Sequence, residues 1–258
     1  MTRKELLAKY PPEKYNPVLV TEVTRMSKGT YCVAGLALAT GKMLRPLQAN
    51  GNNWSLGKDR SVFGVGHVIA CRPTGQSGTV KPHSLEDTPL KATPSLLEEL
   101  TEDQTYKLLI GSTAPSVAAG FGVELEDNKY VIAETNCPSL VGIRAERRSM
   151  RFHESYGKLR LSLDDTDGEY YDAKVTCDTL QHVFSPGDES AEPHFGAAEA
   201  NEWLEVNDDD DELIIRIGLA RPWDGPQKSW DPKRCYLQVN GIICPQDNYH
   251  IFAGPPST

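Results

Sequence analysis

Basic and aromatic side chains are interleaved along the first third of the chain. Residues 17–81 hold eight Lys or Arg and two Asp or Glu, with Tyr31 and Phe63 among them. A basic groove with aromatic rings binds single-stranded nucleic acid, because the cations contact phosphates and the rings stack on bases. The pattern predicts such a face, against the alternative of an ordinary charged surface with both rings in the core. The residues assigned to this face are Arg25, Lys28, Lys42, Arg45, Trp54, Lys58 and Arg60.

A second basic cluster lies near the middle of the chain. Arg144, Arg147 and Arg148 fall within five residues, and Arg151 follows them. The planar guanidinium group presents its donors in a fork that matches phosphate oxygens. We therefore assign Arg144, Arg147 and Arg148 to nucleic-acid binding as well. The alternative is a solvated connector between two domains.

Carboxylates and a lysine flank a turn in the second half of the chain. Asp164 and Asp165 precede it, and Asp172 and Lys174 follow it. Such groups can hold Mg²⁺ and position a water molecule for hydrolysis. The spacing is short for that site, so a hairpin with polar turn residues is favoured over a metal-dependent nuclease. No histidine pairs with a cysteine at a zinc-like spacing, and no glycine-rich phosphate loop occurs. We predict no catalytic residue, no metal and no cofactor.

The net charge of -9 is distributed unevenly. Residues 151–258 hold nine basic and 21 acidic side chains, including the run Asp208–Glu212. That run lacks the alternating ligands and central glycine of a calcium-binding loop, which favours a solvated loop. An acidic surface repels polyanions and suits a basic partner. The carboxy-terminal half is therefore expected to bind a protein partner.

The sequence favours a cytoplasmic protein with no membrane contact. The amino terminus lacks the long apolar core of a secretory signal, and no apolar run approaches the roughly 20 residues of a membrane helix. Six cysteines are scattered without a short Cys-x-x-Cys pair. This usage is typical of reduced, buried thiols and not of a secreted disulfide framework.

Strand patterns predominate in the sequence. Residues 18–24 and 31–38 are rich in β-branched and apolar types and predict a hairpin. Residues 158–163 alternate strictly and lead through Asp167-Gly168, a hairpin turn signal, into residues 170–177. Many short strands with glycine-bent segments indicate small barrels more than a doubly wound sheet.

Three further local structures follow from the sequence. Thr93-Pro94 is typical of a helix start, so one broken helix or two short ones are expected over residues 96–109. Asn240-Gly241 is expected to turn or bulge the last strand. Trp223 and Trp230 flank a loop rich in Gly and Pro; exposed, they would anchor a partner, since Trp dominates interface energetics. We expect burial for Trp223 and have no preference for Trp230.

Both ends of the chain resemble a known family. The opening stretch reads VLVTEVTRMSKGTYCVAGLALATGKMLRPL, with Pro82-His83-Ser84-Leu85-Glu86-Asp87 downstream. The closing stretches read IIRIGLARPW and CYLQVNGIICP. Together they resemble the prokaryotic dual OB-containing family, whose nucleic-acid binding is itself inferred from its fold. The resemblance implies two OB-like barrels, and it suggests an accessory subunit of a multi-component system such as anti-phage defence.

The sequence as a whole predicts a mainly β protein of two OB-like β-barrels with short intervening helices. The expected parts are an extension over residues 1–16, a first domain with a helical insertion over 17–147 and a second domain with an acidic loop over 148–258. The expected function is non-catalytic binding of nucleic acid, of unspecified strand type. The alternatives are a protein–protein adaptor without nucleic-acid contact and, more weakly, the metal-dependent nuclease. Fold alone does not decide among them.

Overall fold

A computed structural model describes most of the chain. The described residues are 1–26, 29–55, 61–75, 78, 80–184, 196–205 and 212–245, with residues 182–184 described as backbone alone. The chain is mainly β and divides into two compact units. Met1–Ser112 belongs to the first unit, and Thr113–Cys244 forms the second.

The described part of the first unit contains seven strands and three α-helices. The strands are β1 (Pro17–Met26), β2 (Thr30–Ala37), β3 (Met43–Leu47), β4 (Trp54–Ser55), β5 (His67–Ala70), β6 (Asp87–Pro89) and β7 (Ser95–Glu99). The helices are α1 (Arg3–Lys9), α2 (Pro12–Tyr15) and α3 (Glu102–Leu109). The sheet order is β6-β3-β2-β1-β5-β7, with β4 paired to β2. All neighbours are antiparallel except β3 and β6, which are parallel.

Seven strands and three α-helices also occur among the described residues of the second unit. The strands are β8 (Tyr130–Ile132), β9 (Leu140–Glu146), β10 (Met150–Ser155), β11 (Lys158–Asp164), β12 (Tyr170–Val175), β13 (Glu212–Leu219) and β14 (Arg234–Ile243). The helices are α4 (Val117–Phe121), α5 (Asp178–Phe184) and α6 (Ala197–Glu205). The sheet order is β10-β11-β12-β14-β13-β9, with β8 paired to β14. The pairing of β12 with β14 is parallel.

Both expected hairpins are confirmed. β1 and β2 pair antiparallel from Val18 opposite Ala37 to Met26 opposite Thr30, with a register shift near Thr21. β11 and β12 pair antiparallel around the Asp167-Gly168 turn, where Gly168 takes a φ of 78° that favours glycine.

The boundary between the two units falls earlier than the expected division at residue 147. β9 lies on the amino-terminal side of that point, yet it pairs with β13 over Leu140–Glu146. Only the 3₁₀ turn Arg147–Ser149 separates β9 from β10. A strand is held by its sheet, so β9 belongs with the second unit. The sequence alone does not reveal this because pairing partners are distant along the chain.

The expected helix over residues 96–109 begins later. Residues 95–99 form the edge strand β7, which pairs with β5, and α3 begins after Thr101. Thr101 Oγ1 accepts from Gln104 N, while Gln104 Oε1 accepts from Thr101 N. This reciprocal capping box fixes the helix start. Sheet pairing thus overrides the local pattern of Thr93-Pro94 and the leucines that follow.

Asn240 makes a bulge in β14. Arg216 pairs with Gly241 and Ile217 pairs with Val239, so Asn240 is the extra residue of β14. Its Oδ1 accepts from Thr176 Oγ1 at 3.0 Å, just beyond β12. Gly218 leaves room for this side chain, since a Cβ there would lie 2.2 Å from Asn240 Nδ2.

The two sheets differ in how their faces are covered. Residues 17–24 of β1 are all buried, so the sheet of the first unit is covered on both sides along this strand. In β11, buried Leu161 and Leu163 alternate with the more exposed Arg160 and Ser162. β12 alternates in the same way, and so does the first part of β14, over residues 234–239. Successive residues of a strand point to opposite faces, so the second unit has one open face over these strands.

The buried ion pair of the first unit gives a stability prediction. Arg45 Nη1 donates to Asp87 Oδ1 at 2.7 Å, and both side chains are more than nine-tenths buried. Arg45→Ala removes an ion-pair partner from a buried carboxylate, so the free energy of unfolding should fall by about 3–5 kcal/mol in denaturant titration. Lys42→Ala is the control, because Lys42 is exposed and its loss should change the value by less than about 0.5 kcal/mol. Equal effects of the two substitutions would contradict this assignment.

The six cysteines are free thiols of unequal reactivity. Burial raises the pKa of Cys71 and of Cys235 to about 12, and that of Cys177 to about 11. The thiolate is the nucleophile, so these three thiols should resist iodoacetamide at pH 8 in the folded chain, whereas half-buried Cys32 should react first. Mass spectrometry of peptides checks the order. All six should react once the chain is denatured; rapid native labelling of Cys71 would oppose the prediction.

Candidate functional site

Two residues of the expected amino-terminal binding face are buried. Arg45 is 3% exposed and forms the ion pair with Asp87. Trp54 is also 3% exposed; its Nε1 donates to Pro46 O at 2.7 Å and its ring lies 5.0 Å from that of Phe63. Neither side chain can reach a nucleic acid, and both assignments are corrected. The residue types matched the expectation, but the sheet turns them inward.

The remaining members of that face do not assemble into a groove among the described residues. Arg25 and Lys42 are exposed but lie toward opposite ends of the β1–β2 hairpin, since Arg25 pairs near its turn and Lys42 follows the far end of β2. Lys28, Lys58 and Arg60 lie outside the residues that the structure describes. With β1 buried on both faces, this part of the first unit offers no open sheet face for stacking.

The arginines of the second expected cluster are engaged by other side chains. Arg144 Nη1 lies 3.1 Å from Glu212 Oε2, and Arg148 Nε lies 2.5 Å from Glu146 Oε2. Arg147 packs its guanidinium 5.4 Å from the ring centre of Trp203 on α6. Arg144 and Arg148 remain exposed but locally neutralised, so the cluster presents less positive charge than its sequence indicates.

The open face of the second unit carries a row of polar side chains. Strand register places His153 opposite Arg160, Arg160 opposite Lys174, and Lys174 opposite Gln238. Residues in register on neighbouring strands point to the same side of a sheet. The four side chains therefore form one row across β10, β11, β12 and β14. Lys158 lies two residues before Arg160 and is exposed on the same face.

Asp172 is the carboxylate that organises this row. It accepts from Arg160 Nε at 2.9 Å and 3.1 Å through its two oxygens, and its Oδ1 is hydrogen-bonded to His153 Nε2 at 3.0 Å. Arg160 Nη2 also donates to the Asp172 carbonyl at 3.0 Å. The arginine is thereby bound to both the side chain and the carbonyl of Asp172, which fixes the position of its charge.

The carboxylates of the alternative metal site have other partners. Asp165 is buried and accepts from the backbone N–H groups of Val117, Asp167 and Glu169, so it holds the β11–β12 turn. Asp172 is occupied by Arg160 and His153. Across the described ranges, no group of three or more His, Cys, Asp or Glu is placed to hold a metal ion. The arrangement therefore matches the hairpin interpretation.

Lys174 sits among like charges. Partial burial, followed by repulsion from Lys158 and Arg160, lowers the pKa of Lys174 below its usual value. The smaller part of this lowering comes from the positive charges of Lys158 and Arg160 nearby. A polyanion would relieve that repulsion, because it brings compensating negative charge to the amine.

An aromatic cluster stands at the beginning of β14. Trp223 lies 4.9 Å from Trp230 between ring centres, and Tyr236 lies 5.2 Å from Tyr130. The Arg234 guanidinium packs 4.1 Å from the Trp230 ring centre and 4.5 Å from that of Tyr130. Tyr236 precedes Gln238 by two residues on β14, so the cluster shares the open face with the cationic row.

Trp223 is exposed, which corrects the expectation that it is buried. Its relative exposure is 46%. The loop after it folds back so that Trp230, and not Trp223, covers Gly225; a Cβ at Gly225 would lie 2.3 Å from the Trp230 ring. Gly225 also has a φ of 79°, which favours glycine. The Trp223 ring is therefore left at the surface.

The site combines the exposed Trp223 ring, packed on further aromatic rings, with cations on one sheet face. Neither the family models nor the curated proteins include a match to this chain, so the resemblance noted from sequence rests on its own residues. Within the described residues, no helix has the length and apolar character needed to cross a membrane.

The sequence contained a local indication of this face, but the net charge counted over the whole second half of the chain concealed it. β11 reads Lys-Leu-Arg-Leu-Ser-Leu-Asp, which places Lys158 and Arg160 on the side opposite the leucines. The excess of acidic residues over 151–258 masked this local arrangement. His153 and Gln238 could not be added from sequence, because the register that brings them into the row depends on tertiary pairing.

The crowding of Lys174 gives a testable pKa shift. In Lys158→Gln the pKa of Lys174 should rise, because the first of its two like-charged neighbours is removed. An NMR titration of carbon-13-methylated lysines measures the change. Lys228→Gln removes a charge that does not act on Lys174 and should leave its pKa unaltered. An unchanged pKa of Lys174 in the Lys158→Gln variant would contradict the arrangement of the row.

Proposed function

We propose that this protein is a non-catalytic module that binds single-stranded nucleic acid through the open face of its second unit. The observation that carries the proposal is the presence of lysine cations and the exposed Trp223 ring on one sheet face. Lys158 and Lys174 lie on this face, and Trp223 lies in the cluster at the start of β14. Single-strand-binding surfaces combine these same two elements.

The strand pairing of the second unit supports an OB-like barrel as its architecture. If β9 and β10 are counted as one strand bent at Arg147–Ser149, the sheet order becomes 1-2-3-5-4-1, with strands 3 and 5 parallel. This is the order of an OB fold, whose strands 2 and 3 and whose loops 1–2 and 4–5 bind oligonucleotides. The cationic row crosses strands 2 and 3, and the loop between strands 4 and 5 carries Trp223 and Trp230.

The strand pairing of the first unit supports the same OB-like strand order, although the exposed surface of this unit differs. β1, β2 and β3 are consecutive antiparallel strands, β6 is parallel to β3, and β5 pairs with β1. Beyond the end of β5, Pro73 forms an antiparallel bridge with Leu90, just after β6. We infer that both units are OB-like and that the second one carries the binding face.

The open face suits a single strand better than a duplex. Neighbouring strands lie about 4.8 Å apart, so the row from His153 to Gln238 spans roughly 14 Å. A flexible single strand can follow such a row with its phosphates and turn its bases toward Trp223. In a duplex the bases are stacked and paired internally, and the indole would find no exposed base plane.

The overall charge limits the expected affinity. The chain carries a net charge of -9, which repels nucleic acid at long range. We expect micromolar or weaker binding by the isolated chain, in the range of non-specific complexes at physiological salt. Such affinity fits an accessory subunit whose partner protein supplies further contacts.

The exposed indole of Trp223 also favours a second candidate function. Tryptophan is enriched at the centres of protein interfaces, and a protein–protein adaptor could use Trp223 as its anchor. The two functions differ in their dependence on salt. Phosphate contacts release counterions when they form, whereas an apolar anchor does not.

Removal of two cations from the face tests the proposal. Binding of a 15-nucleotide oligothymidylate should weaken in Lys158→Ala/Lys174→Ala, and the log–log salt slope should flatten by about 1.4, at about 0.7 for each lost contact. Fluorescence anisotropy over a salt series measures both quantities. The charge-matched control is Lys91→Ala/Lys107→Ala in the first unit, which should keep the wild-type slope.

The same titration decides between the two candidate functions. Duplex DNA of equal length should bind more weakly than the oligothymidylate. If the wild-type chain shows no salt-dependent binding to DNA or RNA, single- or double-stranded, even at low salt, the nucleic-acid proposal fails. The adaptor would then be the better account of the exposed Trp223.

A further inference from the structure

The aromatic cluster holds a guanidinium group in a fixed position. Arg234 lies within cation–π distance of Trp230 and Tyr130, at 4.1 Å and 4.5 Å from their ring centres. Two ring contacts restrict a planar group far more than solvent does. The Arg234 backbone is fixed as well, because its N–H donates to Trp223 O and its carbonyl accepts from Trp223 N, both at 2.9 Å.

No carboxylate of the described residues is hydrogen-bonded to this guanidinium. Arg144, Arg148 and Arg160 are each hydrogen-bonded to a carboxylate. Among the described residues, the Arg234 side chain makes one hydrogen bond, a long one of 3.5 Å from Nη1 to Tyr236 Oη. A guanidinium has five N–H donors, so several remain available for a ligand.

We propose that Arg234 binds one phosphate group of the nucleic acid while Trp223 stacks on the adjoining base. This inference rests on the proposed function and names the chemical group that its aromatic cluster recognises. The guanidinium fork matches two phosphate oxygens at once, which a lysine ammonium cannot do. Trp223 and Arg234 are direct cross-strand neighbours, so one nucleotide unit can engage both side chains.

The loop that carries these residues is fixed before any ligand binds. Trp230 N donates to Asp224 O at 2.7 Å, and Lys228 N donates to Gly225 O at 3.2 Å. Trp230 also covers Gly225 closely. A site that is already ordered loses little conformational entropy on binding, so a single nucleotide contact can contribute measurably.

The anchor should depend on the shape of the guanidinium and not on its charge alone. Arg234→Lys keeps the charge but removes the planar fork. We expect this variant to bind a 12-nucleotide oligothymidylate at least tenfold more weakly than wild type, with a nearly unchanged salt slope. Lys233→Arg, an equally conservative exchange at the exposed neighbouring residue, should bind as wild type. Trp223→Ala should also weaken binding at least fivefold without altering the salt slope.

The phosphate that Arg234 binds could be a terminal phosphate or an internal phosphodiester, and two forms of oligothymidylate distinguish them. An oligothymidylate with a 5′-phosphate and one with a 5′-hydroxyl are compared on wild type and on Arg234→Lys. Tighter binding of the 5′-phosphate form, lost in Arg234→Lys, assigns a terminal phosphate to the anchor. Equal binding of the two forms, with both weakened in the variant, assigns an internal phosphodiester.

A measurement on the wild-type chain covers the case in which Arg234→Lys fails to fold. Phenylglyoxal modifies accessible guanidinium groups, and peptide mass spectrometry locates the product. Arg234 should react in the free protein and should be protected by the oligothymidylate. If the oligothymidylate binds but leaves Arg234 unprotected, or if a folded Arg234→Lys binds it as wild type, this inference is wrong. Binding that still depends on Lys158 and Lys174 would then leave the proposed function standing.

Discussion

The parallel pairing of β12 with β14 is the contact on which the candidate site depends. It places Lys174 beside Gln238 and so joins the cationic hairpin β11–β12 to the strand that carries Tyr236 and Arg234. The pairing is short, and hydrogen bonds from Thr176 extend it: its N–H donates to Val239 O at 2.8 Å and its Oγ1 to Asn240 Oδ1 at 3.0 Å. Without this contact the aromatic cluster and the cations would lie on unconnected sheet edges.

The two units have closely related strand orders, but they differ in which faces of their sheets are covered. In the first, β1 is covered on both faces, and the buried pair Arg45–Asp87 satisfies charges that an open sheet would leave in water. Removing either partner of such a pair leaves an uncompensated charge, which makes the pair a structural requirement of the unit. In the second, the alternation along β11 leaves one face open. Whether an arginine is structural or available to a ligand therefore depends on whether its sheet face is buried, and not on the composition of the segment.

The edge of the second sheet at β10 is covered by side-chain hydrogen bonds from a helix. An unpaired strand edge invites association with another chain. On β10, Asn201 of α6 accepts from Phe152 N at 2.8 Å and donates to Phe152 O at 2.9 Å. One amide side chain thus replaces a strand neighbour at this position. Helix α6 therefore covers the edge and leaves the face free.

The sequence by itself determined the local elements of this protein. β-branched and alternating runs predict the β1–β2 and β11–β12 hairpins, and the pattern of β11 separates Arg160 from its leucines, because period-two alternation is a property of neighbouring residues. Only the tertiary structure decided that Arg45 and Trp54 are buried, that Trp223 is exposed and that β9 joins the second unit. Each of these depends on pairing between segments far apart in the chain, for which a residue's type and its neighbours carry no signal.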